Sequence, residues 1–193
     1  YAIIYVDGRC NMKCGFCIHA AVDARATPSS ISPEQWGQIF KKANSLLHLT
    51  VTGGEPFLRK DFVQIIDNII LKCNVPRISI KSNGFYVDRI KEYVPKLIEK
   101  HPNTEFTLSI SLDGPEEIHD KVRVFKGAYK KVLETIAEMQ QYRKKPNFFL
   151  RLASVITQDN KHILDKLFEE TASWPIDFHE LILLRDVSPK EQL

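Results

Sequence analysis

The chain has few cysteines and no long apolar run, visible signal peptide or internal repeat. Only four of its 193 residues are cysteine, and three of them fall within the eight residues from Cys10 to Cys17. That distribution excludes a disulfide framework, which needs cysteine pairs spread along the chain. There is no apolar run near the roughly 20 residues that cross a bilayer, no visible signal peptide and no internal repeat. We therefore expect a protein of the cytoplasm, a reducing compartment, with no membrane span.

The chain also lacks a large excess of positive or negative charge. The formal net charge of +3 comes from 27 Lys and Arg against 24 Asp and Glu, too small an excess to argue for nucleic acid. The hydrophobic content of 44% and the charged content of 26% are ordinary for a globular protein. We expect residues 1–193 to form one domain. The start at Tyr1, inside a strand-like segment, leaves a longer parent chain with a C-terminal extension open.

The clustered cysteines, Cys10, Cys14 and Cys17, have the spacing C-x3-C-x2-C directly after the apolar segment 2–6. Three thiolates on one tight loop can hold three irons of a cubane cluster and leave the fourth iron open. A four-iron cluster that only carries electrons normally has four cysteine ligands. The triplet therefore indicates a cluster with a coordination position free for chemistry.

Other interpretations of the triplet remain open at this point. A zinc site usually has four ligands, and His19 as the fourth would lie only two residues after Cys17. A redox dithiol of Cys14 and Cys17 would leave Cys10 unexplained. A non-catalytic iron–sulfur module for electron transfer is a further alternative. Measured iron, sulfide and zinc contents would separate these interpretations.

Strand-like and helix-like segments alternate along the whole chain, which favours a parallel sheet with right-handed crossovers. Six strands are too few for a closed eight-stranded barrel, and no G-x-G-x-x-G follows the first strand. The predicted strands are 2–7, 48–52, 77–81, 105–112, 148–156 and 178–184. The predicted helices begin at Pro33 and Phe62 and continue with 88–100, 115–122, 128–142 and 161–172, the third interrupted near Pro95. At the first of them, Ser32 as cap and Gln35 at the third position predict a capping box.

Unusual residues follow the strands at their carboxyl ends, where parallel α/β folds place their chemistry. They are the segments Gly53–Pro56, Ser82–Gly84, Ser109–Gly114 and Arg151–Thr157. Glycines let backbone approach a ligand closely, and a carboxylate such as Glu55 adds a polar contact. Each segment also has a plainer interpretation as a polar turn. Their convergence on one edge of the sheet predicts a ligand site there.

Hydroxyl and carboxylate groups share one face of the fourth strand. Ser109, Ser111 and Asp113 have the same parity, so their side chains point the same way. Together they suit a ribose diol, whereas an Asp-Gly turn also explains Asp113. Asn83 similarly fits an Asn-Gly turn.

The stretch Cys10-Asn11-Met12-Lys13-Cys14-Gly15-Phe16-Cys17, with Gly-Gly-Glu-Pro, Ser-x-Asp-Gly-Pro and His-Asp-x-x-Arg further along, resembles the radical S-adenosylmethionine (SAM) enzymes. The resemblance covers essentially the whole chain. It is strongest to the branch of molybdenum-cofactor biosynthesis protein A, PQQ synthesis protein E and the anaerobic sulfatase maturases. In this family an open iron binds SAM, and an electron from the cluster cleaves SAM to methionine and a 5′-deoxyadenosyl radical that abstracts hydrogen from a substrate.

The resemblance implies an open partial (β/α)6 barrel, a [4Fe–4S] cluster on Cys10, Cys14 and Cys17, and SAM as second cofactor. It places Phe16 near the cluster and adenine, and it assigns the SAM carboxylate to Arg123, with Arg151 as an alternative. A solvated helix-end arginine is the plainer interpretation of Arg123. The remaining implied contacts with SAM are Gly53, Gly54, Glu55, Asn83, Ser111, Asp113 and Val155.

The resemblance also implies a reductant such as flavodoxin or ferredoxin as partner. It leaves the substrate unidentified, with peptide or protein modification and cofactor biosynthesis favoured. The cysteine loop is also similar to that of viperin-like enzymes, which act on nucleotides. One departure is plain: the named relatives carry C-terminal extensions with further cysteines, whereas no cysteine follows Cys73 here.

Overall fold

The computed structural model describes residues 1–17 and 29–184. His19, weighed above as a zinc ligand, lies outside the described residues. The strands are β1 Ala2–Tyr5, β2 Leu49–Thr52, β3 Arg77–Ser82, β4 Glu105–Ser111, β5 Phe148–Ile156 and β6 Phe178–Leu183. The helices are α1 Pro33–Lys41, α2 Phe62–Lys72, α3 Val87–Lys100, α4 Glu116–Arg123, α5 Ala128–Met139 and α6 Leu164–Thr171. The strand bounds agree with the sequence predictions to within two residues.

The six strands form one sheet in the order of the chain, β1-β2-β3-β4-β5-β6. Every neighbouring pair is parallel. All carboxyl ends therefore lie along the same edge, as expected from the alternating pattern. Within the described part of the chain β6 does not pair back with β1, so the sheet stays open. The prediction of an open, partial barrel of six parallel strands is confirmed.

The two faces of the sheet differ in chemistry. One face packs against the helices and carries the apolar core, with side chains such as Ile80, Ile110 and Leu152 at 0% exposure. The opposite face, called the inner face below, carries the alternate residues of each strand. Its central members are Ser79, Lys81, Ser109, Ser111, Arg151, Val155 and Glu180. These polar side chains are available for contact with a ligand on the open side of the sheet.

A local signal in the sequence sets the start of α1. The capping box predicted at the start of α1 is present: the Ser32 hydroxyl accepts from the Gln35 backbone N–H at 3.3 Å, and the Gln35 side chain accepts from the Ser32 N–H at 2.8 Å. The predicted interruption at Pro95 is wrong, because α3 runs through it. Burial of Val94, Leu97 and Ile98 outweighs the one backbone hydrogen bond that proline cannot make.

Two further findings complete the fold. The helix predicted over 128–142 ends at Met139 and continues as a 3-10 segment, Gln140–Lys144. None of the helices among residues 1–17 and 29–184 has the length and apolar character needed to span a bilayer.

Candidate functional site

The cysteine loop is attached to the Gly-Gly-Glu turn by backbone hydrogen bonds. The Gly54 N–H donates to the Asp7 carbonyl at 2.8 Å, and the Glu55 N–H donates to the Arg9 carbonyl at 2.8 Å. These bonds extend the pairing of β1 with β2 beyond the strands. As a result, the chain enters the three-cysteine segment from a fixed position at the carboxyl edge of the sheet.

The two glycines of this turn make that approach possible. A Cβ atom on Gly53 would lie 2.3 Å from the Asp7 carbonyl oxygen, and one on Gly54 would lie 2.1 Å from the Arg9 carbonyl oxygen. Both distances are far inside van der Waals contact. The close approach that sequence analysis expected for a ligand is therefore made, on this side of the turn, by the backbone of the cysteine loop.

Glu55 joins the ends of β2 and β3. Its carboxylate, fully buried, accepts from the backbone N–H groups of Phe57 at 3.1 Å and Asn83 at 2.8 Å, and from the Ser82 hydroxyl at 3.0 Å. Burial raises the pKa of Glu55 to about 7, although these hydrogen bonds oppose the rise. The side chain thus braces the site from within.

Asn83 links the end of β3 to the cysteine loop. Its Nδ2 donates to the Asn11 side-chain oxygen at 2.9 Å and lies 3.8 Å from the Cys10 sulfur. Its Oδ1 accepts from the Phe85 N–H at 3.0 Å, so the residue also makes the turn that the Asn-Gly pair predicted. The turn and the contact with the site coexist in one side chain.

Arg123 and Asp113 form a buried ion pair behind the cysteines. Nε of Arg123 lies 2.6 Å from Oδ2 of Asp113, and the two side chains are 8% and 0% exposed. Nη1 of Arg123 lies 3.9 Å from the Cys14 sulfur, and its guanidinium stands 5.3 Å from the ring centre of Phe16. The interpretation of Arg123 as a solvated helix-end residue is therefore wrong, because α4 ends with this side chain turned inward.

The whole His-Asp-x-x-Arg motif has a structural explanation. His119 is buried and accepts the Asp113 N–H on Nδ1 at 3.1 Å, while burial, with a contribution from Arg123, lowers its pKa to about 3. Asp120 accepts from the N–H groups of Gly127 at 2.5 Å and Tyr129 at 2.9 Å, which caps α5. Sequence analysis quoted this motif but missed the roles of His119 and Asp120, which depend on contacts with β4 and α5.

A second acidic residue escaped sequence analysis. Asp7 is fully buried directly after β1 and holds Arg9 through both carboxylate oxygens, with the shortest contact 2.6 Å from Nη2. The Asp-Gly-Arg sequence before the first cysteine was the available signal. This pair stiffens the entry to the loop.

The three thiols are partly enclosed. Cys14 is buried, and Cys10 and Cys17 are half-buried beside Met12, Phe85 and Phe125. The Cys10 sulfur accepts from the Met12 N–H at 3.4 Å. Burial raises the pKa of Cys10 to about 11, and it also raises the pKa of Cys14. Without metal those two thiols are therefore protonated at neutral pH.

The donor set suits a cubane better than a single ion. Among the described residues, no three His, Cys, Asp or Glu side chains are close enough to share one metal ion. A cubane binds each thiolate on a different iron, so its three sulfurs need a wider spacing than the ligands of one ion. Three thiols on one anchored loop fit that requirement.

Two predicted contacts remain accessible at the inner face. Ser111 ends β4 and Val155 lies near the end of β5, and both are half-buried. Asp113, by contrast, is enclosed, and its other carboxylate oxygen accepts from the Val155 N–H at 2.9 Å. The structure therefore separates the two members of the predicted ribose pair. Ser111 faces the open inner face of the sheet, whereas the Asp113 carboxylate is buried within the protein.

The chain also matches the model of a known protein family. Residues 4–169 match the model of the radical SAM superfamily, which is most of the chain. The chain belongs to this superfamily. The family assignment made from the motifs is thereby confirmed, and with it the expectation of a [4Fe–4S] cluster and SAM as the cofactors of the family.

Similarity to individual radical SAM proteins is distant but extensive. The chain is 26% identical over 172 residues to the sporulation killing factor maturation protein SkfB of Bacillus subtilis, covering 88% of this chain and 39% of that protein. It is 25% identical over 187 residues to a GTP 3′,8-cyclase of Synechocystis, covering 94% and 53%. The chain thus spans two fifths to about half of the length of these relatives.

A solved structure shows the same fold. The native anSMEcpe with bound AdoMet and Cp18Cys peptide superposes with a TM-score of 0.71 at 19% identity, covering 95% of this chain and 50% of that one. At that identity the likeness supports the architecture alone.

Proposed function

We propose that this protein is a radical SAM enzyme that modifies a peptide or protein substrate. The observation that carries the proposal is the three-thiol loop hydrogen-bonded into the Gly-Gly-Glu turn, at the carboxyl edge of a parallel sheet. Cys10, Cys14 and Cys17 would hold the [4Fe–4S] cluster. Bound there, the cluster would supply the electron that cleaves SAM to methionine and a 5′-deoxyadenosyl radical.

The residues around the loop divide the binding of SAM among them. We assign the amino group to the backbone of Gly53 and Gly54, because the carboxylate of Glu55 is enclosed by internal donors. Ser111 takes the ribose, and Val155 lines the adenine.

Arg123 takes the SAM carboxylate in this proposal. Its Nη2 is buried and has no hydrogen-bond partner among the described residues, so that edge of the guanidinium is available. Asp113 then acts by orienting Arg123 rather than by touching ribose, since Nε of the arginine is already paired with it at 2.6 Å. Phe16 covers the guanidinium, and Asn83 holds the loop against β3.

The substrate class rests on two similarities. SkfB is a maturation protein for a killing factor, and the solved anSMEcpe structure has both AdoMet and a peptide bound. A flavodoxin or ferredoxin would supply the electron. The free state of Cys10, Cys14, Cys17 and Cys73 agrees with the reducing cytoplasm that such chemistry needs.

Anaerobic reconstitution with iron and sulfide, followed by electron paramagnetic resonance of the reduced protein with and without SAM, tests the proposal. We expect a four-iron signal that changes when SAM is added, and 5′-deoxyadenosine under strong reductant. Cys14→Ala should lose the signal, whereas the matched control Cys73→Ala, at a buried cysteine outside the loop, should keep it. A signal indifferent to SAM would instead indicate an electron carrier, and zinc without sulfide would indicate a zinc-binding domain.

A further inference from the structure

A row of polar residues crosses the inner face of the sheet below the proposed SAM site. The strand register aligns Lys81 of β3 with Ser109 of β4, and Ser109 with Arg151 of β5. Residues paired in register on adjacent strands point to the same face, so the three side chains lie side by side. Ser111 lies two residues further along β4, about 7 Å nearer the carboxyl edge. The row is therefore one layer beneath the predicted ribose contact.

The row carries more positive than negative charge. Oε2 of Glu180 lies 2.8 Å from Nζ of Lys81 and 3.4 Å from Nη2 of Arg151, so two cations share one carboxylate oxygen. Two positive groups and one negative group leave a net charge of +1. Burial lowers the pKa of Lys81, and the charge of Arg151 contributes to the same effect. An additional anion would relieve this repulsion.

Two donors in the row lack partners. The Ser109 hydroxyl belongs to a side chain with 1% exposure, and within the described residues it makes no hydrogen bond. The Nε of Arg151 is likewise buried without a partner there. Buried polar groups are almost always satisfied, so two adjacent orphan donors indicate a missing acceptor.

We propose that Lys81, Ser109 and Arg151 form a subsite that binds a carboxylate of the peptide substrate. This inference rests on the proposed function, because it deepens the choice of substrate at the same site. A carboxylate suits the row better than a phosphate for two reasons. First, the net charge of +1 is balanced by a monoanion. Second, Lys81 and Arg151 already contact one carboxylate, that of Glu180. Hydroxyl and guanidinium donors side by side are geometrically suited to a carboxylate.

The carboxylate can come from an acidic side chain or from the peptide C-terminus, and three peptide pools distinguish these sources. All are hexapeptides of random uncharged residues: one carries an internal Glu and an amidated C-terminus, one carries Gln and a free C-terminus, and one carries Gln and an amidated C-terminus. Equilibrium dialysis against the reconstituted protein with SAM, read by mass spectrometry, measures retention. We expect one of the anionic pools to be retained about tenfold or more above the neutral pool.

Variants of the row provide the decisive comparison. Arg151→Gln should reduce the preference for the anionic pool to within about twofold. Glu180→Gln removes the internal competitor, so it should strengthen that preference, a gain that misfolding cannot produce. Arg77→Gln is the matched control, because Arg77 lies on the same face of β3 but is exposed and outside the row. It should leave the preference unchanged.

Three results would overturn the subsite: equal retention of all pools by the unmodified protein, an unchanged preference in Arg151→Gln, or a loss of preference in Glu180→Gln. Formation of 5′-deoxyadenosine without peptide, measured in the same samples, separates the two proposals. If it forms while all pools are retained equally, the subsite fails and the radical SAM function stands. If it does not form, the proposed function fails, and selective retention of the anionic pool still establishes a carboxylate site.

Discussion

Nε of Arg123 lies 2.6 Å from Oδ2 of Asp113, and neither side chain has appreciable contact with solvent. The pair connects the end of α4 with the turn after β4, directly behind the cysteine loop. Since the Arg123 guanidinium also lies against Phe16 and near the Cys14 sulfur, the ion pair determines where a positive charge faces the proposed cluster.

Replacing one member of the Asp113–Arg123 pair should lower the stability of the folded protein. Asp113→Asn leaves the buried guanidinium without a countercharge, and we expect a loss of about 3 kcal/mol in the free energy of unfolding. Urea denaturation monitored by circular dichroism measures it. Lys96→Gln, which removes an exposed ion pair with Glu92, is the control and should cost less than about 1 kcal/mol. Equal losses in the two variants would contradict the view that Asp113 and Arg123 stabilise the fold as a buried pair.

Arg123→Lys should weaken SAM binding. Lysine keeps the charge but loses the planar fork, whose separate edges would contact Asp113 and the SAM carboxylate. We expect the dissociation constant for SAM to rise about tenfold or more. Titration with SAM, followed by the electron paramagnetic resonance spectrum of the reduced protein, measures it. Arg143→Lys is the matched control, because Arg143 pairs with Asp177 at 2.8 Å at the opposite end of β5. Unchanged affinity in Arg123→Lys would remove this residue from the SAM site.

Gly54→Ala should displace the cysteine loop. The added Cβ would lie 2.1 Å from the Arg9 carbonyl oxygen, and backbone on both sides leaves no flexible group to yield. We expect the iron bound after reconstitution to fall to less than about half of the amount in the unmodified protein, because closely packed backbone cannot accept the added methyl group without moving. Gly37→Ala, where a Cβ would lie 3.1 Å from the Asn68 carbonyl between α1 and α2, controls for mild crowding elsewhere. Full iron binding by Gly54→Ala would show that the loop does not depend on this approach.

Glu55 should make stability depend on pH. Its pKa in the folded protein is raised from 4.5 to about 7, so the unfolded chain releases this proton first as pH rises. The stability it contributes is therefore complete below pH 4.5 and is lost as pH rises through about 7. The loss approaches about 3 kcal/mol, because each pH unit between the folded and unfolded pKa values corresponds to roughly 1.4 kcal/mol.

Glu55→Gln provides the comparison, because glutamine does not titrate. Urea denaturation of the metal-free proteins at pH 5 and pH 8 should show the unmodified protein losing stability relative to the variant at the higher pH. A constant difference between the two proteins would contradict the raised pKa.

Much of the fold was readable from local patterns. Short strand-like segments between the helical patterns predicted all six strands, and Ser32 with Gln35 marked the start of α1, because such signals depend on residues that are close in sequence. Pro95 misled for the complementary reason: its local cost is real, but the packing of α3 against the core outweighs it.

The sequence by itself determined the cysteine spacing, the alternation of strands and helices, and the order of motifs at the strand ends, since each is a property of contiguous residues. Only the tertiary structure decided which groups those motifs meet. Gly53 and Gly54 accommodate the cysteine loop, Asp113 holds Arg123, and strand register aligns Lys81, Ser109 and Arg151. These contacts join residues from different elements, and their positions depend on how the sheet pairs and how the helices pack on it.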